Sequence, residues 1–328
     1  MKALITTVPF AKKNPLPLEL LRESDIEYLI NPLNRKLTED ELCEIVTDFD
    51  ILIAGTEPIT QKVMINAPNL KMISRVGIGL DSVDLNEAKN RDIKVSYTPD
   101  APAPAVAELT IGLIFSLLRS IHLSSSQLHN GQWNRIFGRR LSEITLGVIG
   151  LGRIGSRVIR RTKPFGTPRF LVNDIDTSKG ADMDFKLEWV SKEKIYKEAD
   201  IICIHLPLTR STYNLIGEKE LLSMKKDAAI INVSRGGIIN EHDLYKVLNL
   251  GHLSGAALDV FEKEPYYGRL TEIERCILTA HMGSMSIDCR SRMEIEATEE
   301  VIRFCRHQRL FNQVPQAEYD FQFDKINS

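Results

Sequence analysis

Short apolar runs alternate with amphipathic stretches along most of this chain. In the first hundred residues, strands are predicted over residues 1–8, 28–30, 50–54 and 71–76. Helices are predicted between them, over residues 16–23 and from Thr38 onward, where Glu41 is placed for a capping box. The alternation predicts a small parallel sheet with helices on its faces.

The rest of the chain repeats this alternation. Further strands are predicted over residues 144–149, 170–173, 200–205, 228–233, 254–259 and 276–279. Further helices are predicted over residues 105–120, 218–224, 241–248 and 287–305. The predicted fold class is therefore α/β, with two doubly wound parallel sheets of the Rossmann-like kind.

Two stretches lack a clear period. Residues 124–140 are polar, contain Trp133 and follow a largely apolar helix. They are interpreted either as an arm that contacts a second copy of the chain or as an ordinary surface excursion. The residues from Gln308 onward are also polar, and we expect a mobile tail there.

The chain contains a Gly-x-Gly-x-x-Gly motif between a predicted strand and a predicted helix. At such a turn Gly150 allows the reversal, Gly152 leaves room for a pyrophosphate, and Gly155 lets the helix pack closely on its strand. The helix N–H groups would then face phosphate oxygens. Asp174 ends the next strand, about twenty residues later, where an acid is expected to bind ribose hydroxyls. Since no basic residue follows Asp174 immediately, the motif predicts NAD rather than NADP.

Composition narrows the classes of protein. A length of 328 residues suits two domains, and 43% hydrophobic with 26% charged residues is ordinary for a soluble globular protein. The net charge of -2 argues against a nucleic-acid partner. The 5 cysteines have no paired short spacing, so we expect neither a metal site nor a disulfide framework. Unpaired cysteines are typical of a reducing compartment, so we expect the protein in the cytoplasm. No apolar run approaches the roughly twenty residues of a membrane helix.

Three side chains at or beyond predicted strand ends can carry carbonyl chemistry. Arg235 precedes two glycines, so its guanidinium could hold a carboxylate through two parallel hydrogen bonds. His281 could supply a proton near neutral pH, and Glu264 could fix its tautomer. Each of the three could also be an ordinary surface or core residue, and only their combination at strand ends favours the catalytic interpretation.

The chain resembles the D-isomer-specific 2-hydroxyacid dehydrogenases. The stretches that carry the resemblance are residues 76–81, 105–108, 146–155, 205–209, 232–237, 258–265 and 280–283. The resemblance implies an NAD-dependent oxidoreductase that interconverts a D-2-hydroxy acid and its 2-keto acid in a cleft between two lobes. It implies a discontinuous substrate-binding lobe of residues 1–99 with 287–328 and an NAD-binding domain of residues 100–286. We also expect a homodimer, for which residues 124–140 are the candidate arm.

The resemblance also implies roles for individual residues. Arg235, Glu264 and His281 would be the substrate-binding arginine, the orienting acid and the proton donor. The implied cofactor contacts are Gly150, Gly152, Arg153, Ile154, Gly155, Asp174, His205, Leu206, Pro207, Val233, Ser234, Asp259, Gly283 and Ser284. The implied substrate contacts are Arg75, Val76, Gly77, Ile78, Gly79 and Arg235.

Three positions depart from the family pattern. Ala280 replaces the usual proline before the histidine, so we expect a less rigid approach of that loop. Asp100 replaces a usual glycine, and Pro164 interrupts the helix after the glycines. None of these changes removes a chemical group from the predicted site.

The substrate is the more open question. The stretch around Arg75 resembles that of some 3-phosphoglycerate dehydrogenases, where the arginine faces the substrate phosphate, so D-3-phosphoglycerate is the first expectation. A hydroxypyruvate or glyoxylate reductase without a phosphate site is the alternative, in which Arg75 only pairs at the edge of its lobe. A third possibility is an NAD-sensing interaction protein similar to the transcriptional corepressors that share this fold.

Overall fold

The computed structural model describes residues 1–166 and 169–322, and the chain divides into two compact units. One unit is Met1–Pro102 together with the chain from Met285 onward, and the other is Ala103–Ser284. The divisions therefore fall after residues 102 and 284 rather than after 99 and 286. The first division coincides with the start of a long helix, which belongs as one rigid piece to the second unit.

Strands and helices alternate through the described residues. The strands are β1 (Lys2–Ile5), β2 (Glu27–Ile30), β3 (Ile51–Ala54), β4 (Met72–Arg75), β5 (Lys94–Tyr97), β6 (Thr145–Ile149), β7 (Arg169–Asn173), β8 (Glu188–Trp189), β9 (Ile201–Ile204), β10 (Ala229–Asn232), β11 (Gly255–Leu258) and β12 (Cys276–Leu278). The helices are α1 (Leu16–Glu23), α2 (Glu39–Ile45), α3 (Gln61–Ile65), α4 (Leu85–Asn90), α5 (Ala103–Arg119), α6 (Ile121–His129), α7 (Arg153–Thr162), α8 (Lys192–Glu198), α9 (Glu218–Ser223), α10 (Glu241–Asn249), α11 (Ile287–Cys305) and α12 (Gln316–Phe321).

Among these strands, β1 to β5 form the parallel sheet of the first unit, in the order β2-β1-β3-β4-β5. The order reverses between β1 and β3. In open sheets of this kind, ligands bind beyond the carboxyl ends of the strands at such a reversal. Ligand-binding groups of the first unit are therefore expected at this end of the sheet.

Local signals explain where the helices of this unit begin. Thr38 accepts a hydrogen bond from the backbone of Glu41 through its hydroxyl, and the Glu41 carboxylate accepts one from the backbone of Thr38, so the predicted capping box is confirmed.

The prediction of a mobile tail from Gln308 onward is wrong as far as residue 322. Val314 is only 4% exposed and packs into the core of the sheet, and α12 follows it. Leu310 and Tyr319 also pack against this unit, and the backbone of Val314 donates to the Val95 carbonyl, so several contacts hold this polar stretch. The rest of the predicted tail lies outside the described residues.

The second unit contains the remaining strands, β6 to β12, in one parallel sheet ordered β12-β11-β10-β9-β6-β7-β8. The order reverses between β6 and β9, as in a doubly wound dinucleotide-binding sheet. Val148, Cys203 and Ile231 are fully buried in its core. The two parallel sheets confirm the predicted fold class.

The stretch after α5 differs from its prediction in part. Residues 121–129 form α6, a helix that the sequence analysis had missed because its polar residues obscure the period. In the stretch that follows, Trp133 is 79% exposed and the Phe137 side chain is fully exposed. No single helix among the described residues has the length and apolar character to cross a membrane. Together α5 and α6 reach that length and composition, but they meet at 65°.

Candidate active site

Three neighbouring strands of the second unit end in register. Asn232, Leu258 and Leu278 lie side by side at the carboxyl ends of β10, β11 and β12. Arg235 and His281 each follow their own strand end by three residues, so both leave the sheet at the same level. Since β11 separates their strands, their backbones emerge roughly 10 Å apart, a gap that two long side chains can close.

The loop that follows β11 brings an acid to the histidine. His281 Nδ1 lies 2.9 Å from Glu264 Oε2 and 3.1 Å from Glu264 Oε1. Glu264 Oε1 also accepts a hydrogen bond from the backbone N–H of Phe261, at 3.1 Å. The two partners are about one-third exposed, with 38% for the His281 side chain and 32% for the Glu264 side chain. The pair can therefore exchange a proton with a ligand or with water.

The loop that carries His281 is held by a single buried carboxylate. Asp259 is 1% exposed, and its Oδ1 accepts hydrogen bonds from the Thr279 hydroxyl at 2.6 Å and from Met282 N at 2.8 Å. Its Oδ2 accepts one from Gly283 N at 2.8 Å. His281 adopts a left-handed conformation with φ of 48°, which costs free energy unless the surroundings enforce it. Asp259 thus supplies the rigidity that Ala280 does not.

The arginine loop is fixed from its own strand. Asn232 donates through its side-chain amide to the Arg235 carbonyl at 2.8 Å, and its amide oxygen accepts from Ser234 N at 3.0 Å. The Ser234 hydroxyl in turn donates to the Ile204 carbonyl at the end of β9, at 2.5 Å. Gly236 packs against the backbone at Phe261 so closely that a Cβ there would overlap it. The loop that carries Arg235 is therefore anchored to the ends of β9 and β10 and packs against the chain after β11.

The glycine-rich turn lies at the reversal between β6 and β9. Gly150 has φ of 97°, and a Cβ on it would overlap the carbonyl of His205. A Cβ on Gly155 would overlap the carbonyl of Gly150, whereas a Cβ on Gly152 would meet nothing within 4 Å. Among the described residues no side chain caps the start of α7 at Gly152, and the N–H groups of a first helical turn have no acceptor within the helix, so this end of α7 suits an anion. The space and the donors fit a pyrophosphate, with Arg153 and Ile154 as the first two helical residues.

Asp174 follows β7 and faces this turn. Its Oδ2 accepts a hydrogen bond from Leu151 N at 2.7 Å, and its Oδ1 accepts from Asp176 N at 3.0 Å and from Lys179 Nζ at 2.9 Å. Burial raises the pKa of Asp174, but these hydrogen bonds outweigh it and hold the pKa below its ordinary value. A charged carboxylate at this point fits the hydroxyls of a ribose. No pattern in the sequence points to Lys179, because its contact with Asp174 depends on the loop between β7 and β8.

The residues that follow β9 complete this side of the sheet. His205 N donates to the Ile149 carbonyl at 2.8 Å, and Leu206 and Pro207 continue the loop beyond the strand end. Both ring nitrogens of His205 are buried and have no hydrogen-bond partner among the described residues. Burial lowers the pKa of His205 to about 3, so its imidazole is neutral at physiological pH.

The other predicted cofactor contacts lie at the same edge. Val233 follows β10 and is 6% exposed, next to the anchored Ser234. Gly283 follows the His281 loop, and a Cβ on it would come within 3.1 Å of Asp259 Oδ2 and 3.3 Å of Val106. Ser284 is the last residue of this unit. All of the predicted cofactor contacts therefore lie in the second unit.

The predicted substrate loop belongs to the first unit and follows β4. Val76 N donates to the Ala54 carbonyl at 2.9 Å, and Gly77 N donates to the Thr98 hydroxyl at 2.7 Å. The N–H groups of Ile78 and Gly79 have no hydrogen-bond acceptor among the described residues. An anion at this loop would therefore bind the N–H groups of Ile78 and Gly79, because those of Val76 and Gly77 already donate within the unit.

Arg75 ends β4 and is 6% exposed. Its Nη1 donates to the carbonyl of Val76, and its guanidinium lies over Gly77, where a Cβ would overlap it. In this conformation part of the hydrogen-bonding capacity of Arg75 serves the adjacent backbone.

Comparison with known proteins identifies the family. A family model described as "D-isomer specific 2-hydroxyacid dehydrogenase, NAD binding domain" matches residues 111–283. The chain belongs to this family. It is accordingly an NAD-dependent oxidoreductase that interconverts D-2-hydroxy acids and 2-keto acids, and the family resemblance predicted from the sequence is confirmed.

Individual relatives have different substrates in their names. The chain is 36% identical over 274 residues to a hydroxypyruvate reductase of Thermotoga maritima, covering 81% of this chain and 88% of that protein. It is 36% identical over 280 residues to a D-3-phosphoglycerate dehydrogenase of Methanocaldococcus jannaschii, covering 82% of this chain but 52% of that protein. The crystal structure of the TT0316 protein from Thermus thermophilus superposes with a TM-score of 0.86 at 31% identity, covering 96% of this chain and 100% of that one.

Proposed function

We propose that Arg235, Glu264 and His281 carry the reaction at C2 of the substrate. The observation that carries this proposal is the Glu264–His281 pair, 2.9 Å apart, at the same sheet edge as Arg235. The Glu264 carboxylate holds the Nδ1 proton of His281, which leaves Nε2 to exchange a proton with the substrate oxygen. The Arg235 guanidinium holds the substrate carboxylate and polarises the carbonyl.

Bound NAD would supply the hydride acceptor for C2, and NADH would supply the hydride in the reverse direction. The residues that would hold it are the turn Gly150–Gly155, Asp174 and the loop after β9. In the oxidation direction, His281 takes the hydroxyl proton as the C–H bond is broken. In the reduction direction, protonated His281 gives that proton to the developing alkoxide. Asp259 keeps His281 at a fixed position through both directions.

We propose a substrate with two or three carbons in its chain, because relatives are named for glyoxylate, hydroxypyruvate and D-3-phosphoglycerate. The loop with Ile78 and Gly79 would bind its carboxylate through backbone N–H groups. A reductase of unphosphorylated acids such as glyoxylate or hydroxypyruvate fits an Arg75 that is only 6% exposed, with its guanidinium lying over Gly77. D-3-phosphoglycerate is the second candidate, because Arg75 is a cation beside this loop and could pair with a phosphate if its side chain were to turn outward.

Steady-state kinetics with a panel of substrates tests the proposal. In the reduction direction, glyoxylate, hydroxypyruvate and 3-phosphohydroxypyruvate would be assayed in the presence of NADH. In the oxidation direction, D-glycerate and D-3-phosphoglycerate would be assayed in the presence of NAD. Arg75→Ala is expected to leave the unphosphorylated acids unaffected. A selective loss of the phosphorylated acids in that variant would instead support D-3-phosphoglycerate. If the wild-type protein turned over no acid of the panel, the proposed function would be wrong.

We also propose a homodimer in which the stretch 130–140 contacts a second copy. Trp133 and Phe137 are large apolar side chains exposed in the isolated chain, an arrangement that marks interaction surfaces. The end of this stretch is anchored, because Arg139 pairs with Asp200 at 2.9 Å. An anchored arm can therefore present its apolar residues in a defined position.

The cysteines support a reducing compartment, and we propose the cytoplasm. Cys203, Cys276 and Cys289 are buried, and all cysteines of the chain are unbridged. Burial raises the pKa of Cys276 to about 12, so that thiol stays protonated and unreactive. Cell fractionation with an antibody against the native protein tests the location.

A further inference from the structure

A buried glutamate lies where the sheet of the first unit reverses its strand order. Glu57 follows β3 by three residues and is 1% exposed. Its Oε1 accepts hydrogen bonds from Gly55 N at 2.9 Å and from the hydroxyl of Thr6, the first residue after β1. These bonds tie the two strands on either side of the reversal, and they hold the carboxylate in one orientation.

The second carboxylate oxygen of Glu57 has no hydrogen-bond donor among the described residues, and none of the basic side chains described there forms an ion pair with it. Arg290 reaches the same end of the sheet, where it donates to the Thr7 hydroxyl at 2.8 Å, but its Nε pairs with Glu294 at 2.7 Å. A buried carboxylate without a cation is costly unless further donors satisfy it. Oε2 is therefore an acceptor that a ligand can use.

A glycine keeps the approach to this oxygen open. A Cβ on Gly55 would lie 2.8 Å from Glu57 Oε2 and 3.1 Å from the Cα of Thr7, so any side chain there would cover the carboxylate. The segment that follows is fixed, because Pro58 restricts the backbone before it and Ile59 N donates to the Ser82 carbonyl at 2.7 Å. The acceptor is thus held rigidly, and residue 55 places no side chain against it.

The predicted carboxylate loop lies on the adjacent strand of the same sheet. Ala54 and Arg75 are paired in register, and the hydrogen bond from Val76 N to the Ala54 carbonyl extends this pairing beyond the strand ends. Two segments therefore leave the sheet about 5 Å apart. One follows β3 and leads to Glu57, and the other follows β4 and leads to the N–H groups of Ile78 and Gly79. An acid whose carboxylate binds at that loop would place its next carbons within reach of Glu57.

We propose that Glu57 Oε2 accepts a hydrogen bond from a hydroxyl group on C3 of the 2-keto acid. This inference rests on the proposed function and narrows its substrate class to acids that are hydroxylated and uncharged at that carbon. A carboxylate accepts strongly from a hydroxyl, and a buried acceptor left unpaired penalises a substrate that lacks one. The same carboxylate repels a phosphate. Hydroxypyruvate is accordingly preferred over glyoxylate and over 3-phosphohydroxypyruvate.

The experiment compares kcat/KM for these three acids in the wild-type enzyme and in Glu57→Gln. The amide can keep the hydrogen bonds to Thr6 and Gly55 and removes the charge. For hydroxypyruvate we expect kcat/KM to fall about tenfold or more, as for loss of a charge-assisted hydrogen bond. Glyoxylate has no C3 and is expected to change less than about twofold, since it makes no contact with this oxygen. Gly55→Ala, which covers Oε2 but keeps the charge, is expected to give the same selective loss.

Glu300→Gln is the matched control. Glu300 is also a fully buried acid of the first unit, but it pairs with Arg303 at 2.6 Å on α11 and should not discriminate between the acids. Equal losses for hydroxypyruvate and glyoxylate in Glu57→Gln, or no loss for either, would overturn the inference. So would a wild-type enzyme that prefers 3-phosphohydroxypyruvate. If the wild-type enzyme turns over glyoxylate, the proposed function holds and these results concern Glu57 alone. If it turns over none of the acids, the proposed function is wrong and so is the inference that rests on it.

Discussion

His281 and Glu264 form a hydrogen-bonded pair although they lie 17 positions apart in the chain, with Nδ1 at 2.9 Å from Oε2. The pair joins the loops after two neighbouring strands, β11 and β12. Glu264 therefore orients the imidazole ring relative to the carboxyl ends of these strands.

Loss of the pair should remove most of the activity. We expect His281→Ala to lower kcat by about 10²- to 10⁴-fold, which is the usual contribution of a positioned acid or base. Glu264→Gln should lower kcat by a smaller factor, because the amide still bonds to Nδ1 but carries no charge. Steady-state kinetics with the preferred acid measures both. Retention of wild-type kcat in either variant would contradict the assignment, and unchanged binding of NADH would show that the second unit is still folded.

Arg235 should be sensitive even to a conservative change. A lysine keeps the charge but cannot make two parallel hydrogen bonds to a carboxylate. We expect Arg235→Lys to raise KM and lower kcat together, with kcat/KM about 10- to 100-fold lower. Arg269→Lys is a suitable control, since Arg269 lies on the surface and contacts Tyr245. If Arg235→Lys behaved like this control, the guanidinium would not bind the substrate.

Asp259 should act through the loop that it holds. In Asp259→Asn an amide NH₂ group replaces one carboxylate oxygen. This donor would face either the Gly283 N–H or the two donors that now bind Oδ1, so hydrogen bonds would be lost. We expect about 1–3 kcal/mol of lost stability and a clear fall in kcat, because His281 would leave its left-handed conformation. Thr279→Val removes only one of these hydrogen bonds and should give a smaller effect in both measurements. An Asp259→Asn enzyme with normal kcat would contradict this role.

His205 should make the stability of the apoprotein depend on pH. Its folded-state pKa of about 3 lies below the ordinary value of 6.5, so the unfolded chain takes up a proton that the folded one does not. Stability should therefore fall as the pH falls below 6.5, by up to about 1.4 kcal/mol per pH unit from this group. Urea unfolding at pH 7 and pH 5 should show a loss about 2 kcal/mol larger in the wild type than in His205→Asn. Equal losses in both proteins would contradict the prediction.

The exposed stretch 130–140 should hold two chains together. We expect light scattering to show a dimer for the wild type and a monomer for Phe137→Asp, because a charge would be buried in an apolar contact. Tyr267→Asp is the control, since Tyr267 is 89% exposed elsewhere on the same unit. A dimer that survives Phe137→Asp would move the interface away from this stretch.

The amino-acid sequence alone predicted the elements whose signals are local. The bounds of α1 and α11 agree with those predicted for residues 16–23 and 287–305, because apolar spacing and end signals lie within each segment. The glycine spacing and the strand before it likewise identified the dinucleotide turn. The family and the two parallel sheets followed from the same local patterns.

Only the tertiary structure decided which distant groups meet. The spacing of apolar and polar residues predicts none of three contacts that the structure shows. These are the contact of Asp259 with the His281 loop, that of Lys179 with Asp174, and that of Val314 with the core of the first unit. Each contact joins segments from different strands or loops, and its existence depends on sheet order and register. Pattern within a segment reports how that segment folds, whereas the partner of a buried charge is set by the packing of the whole unit.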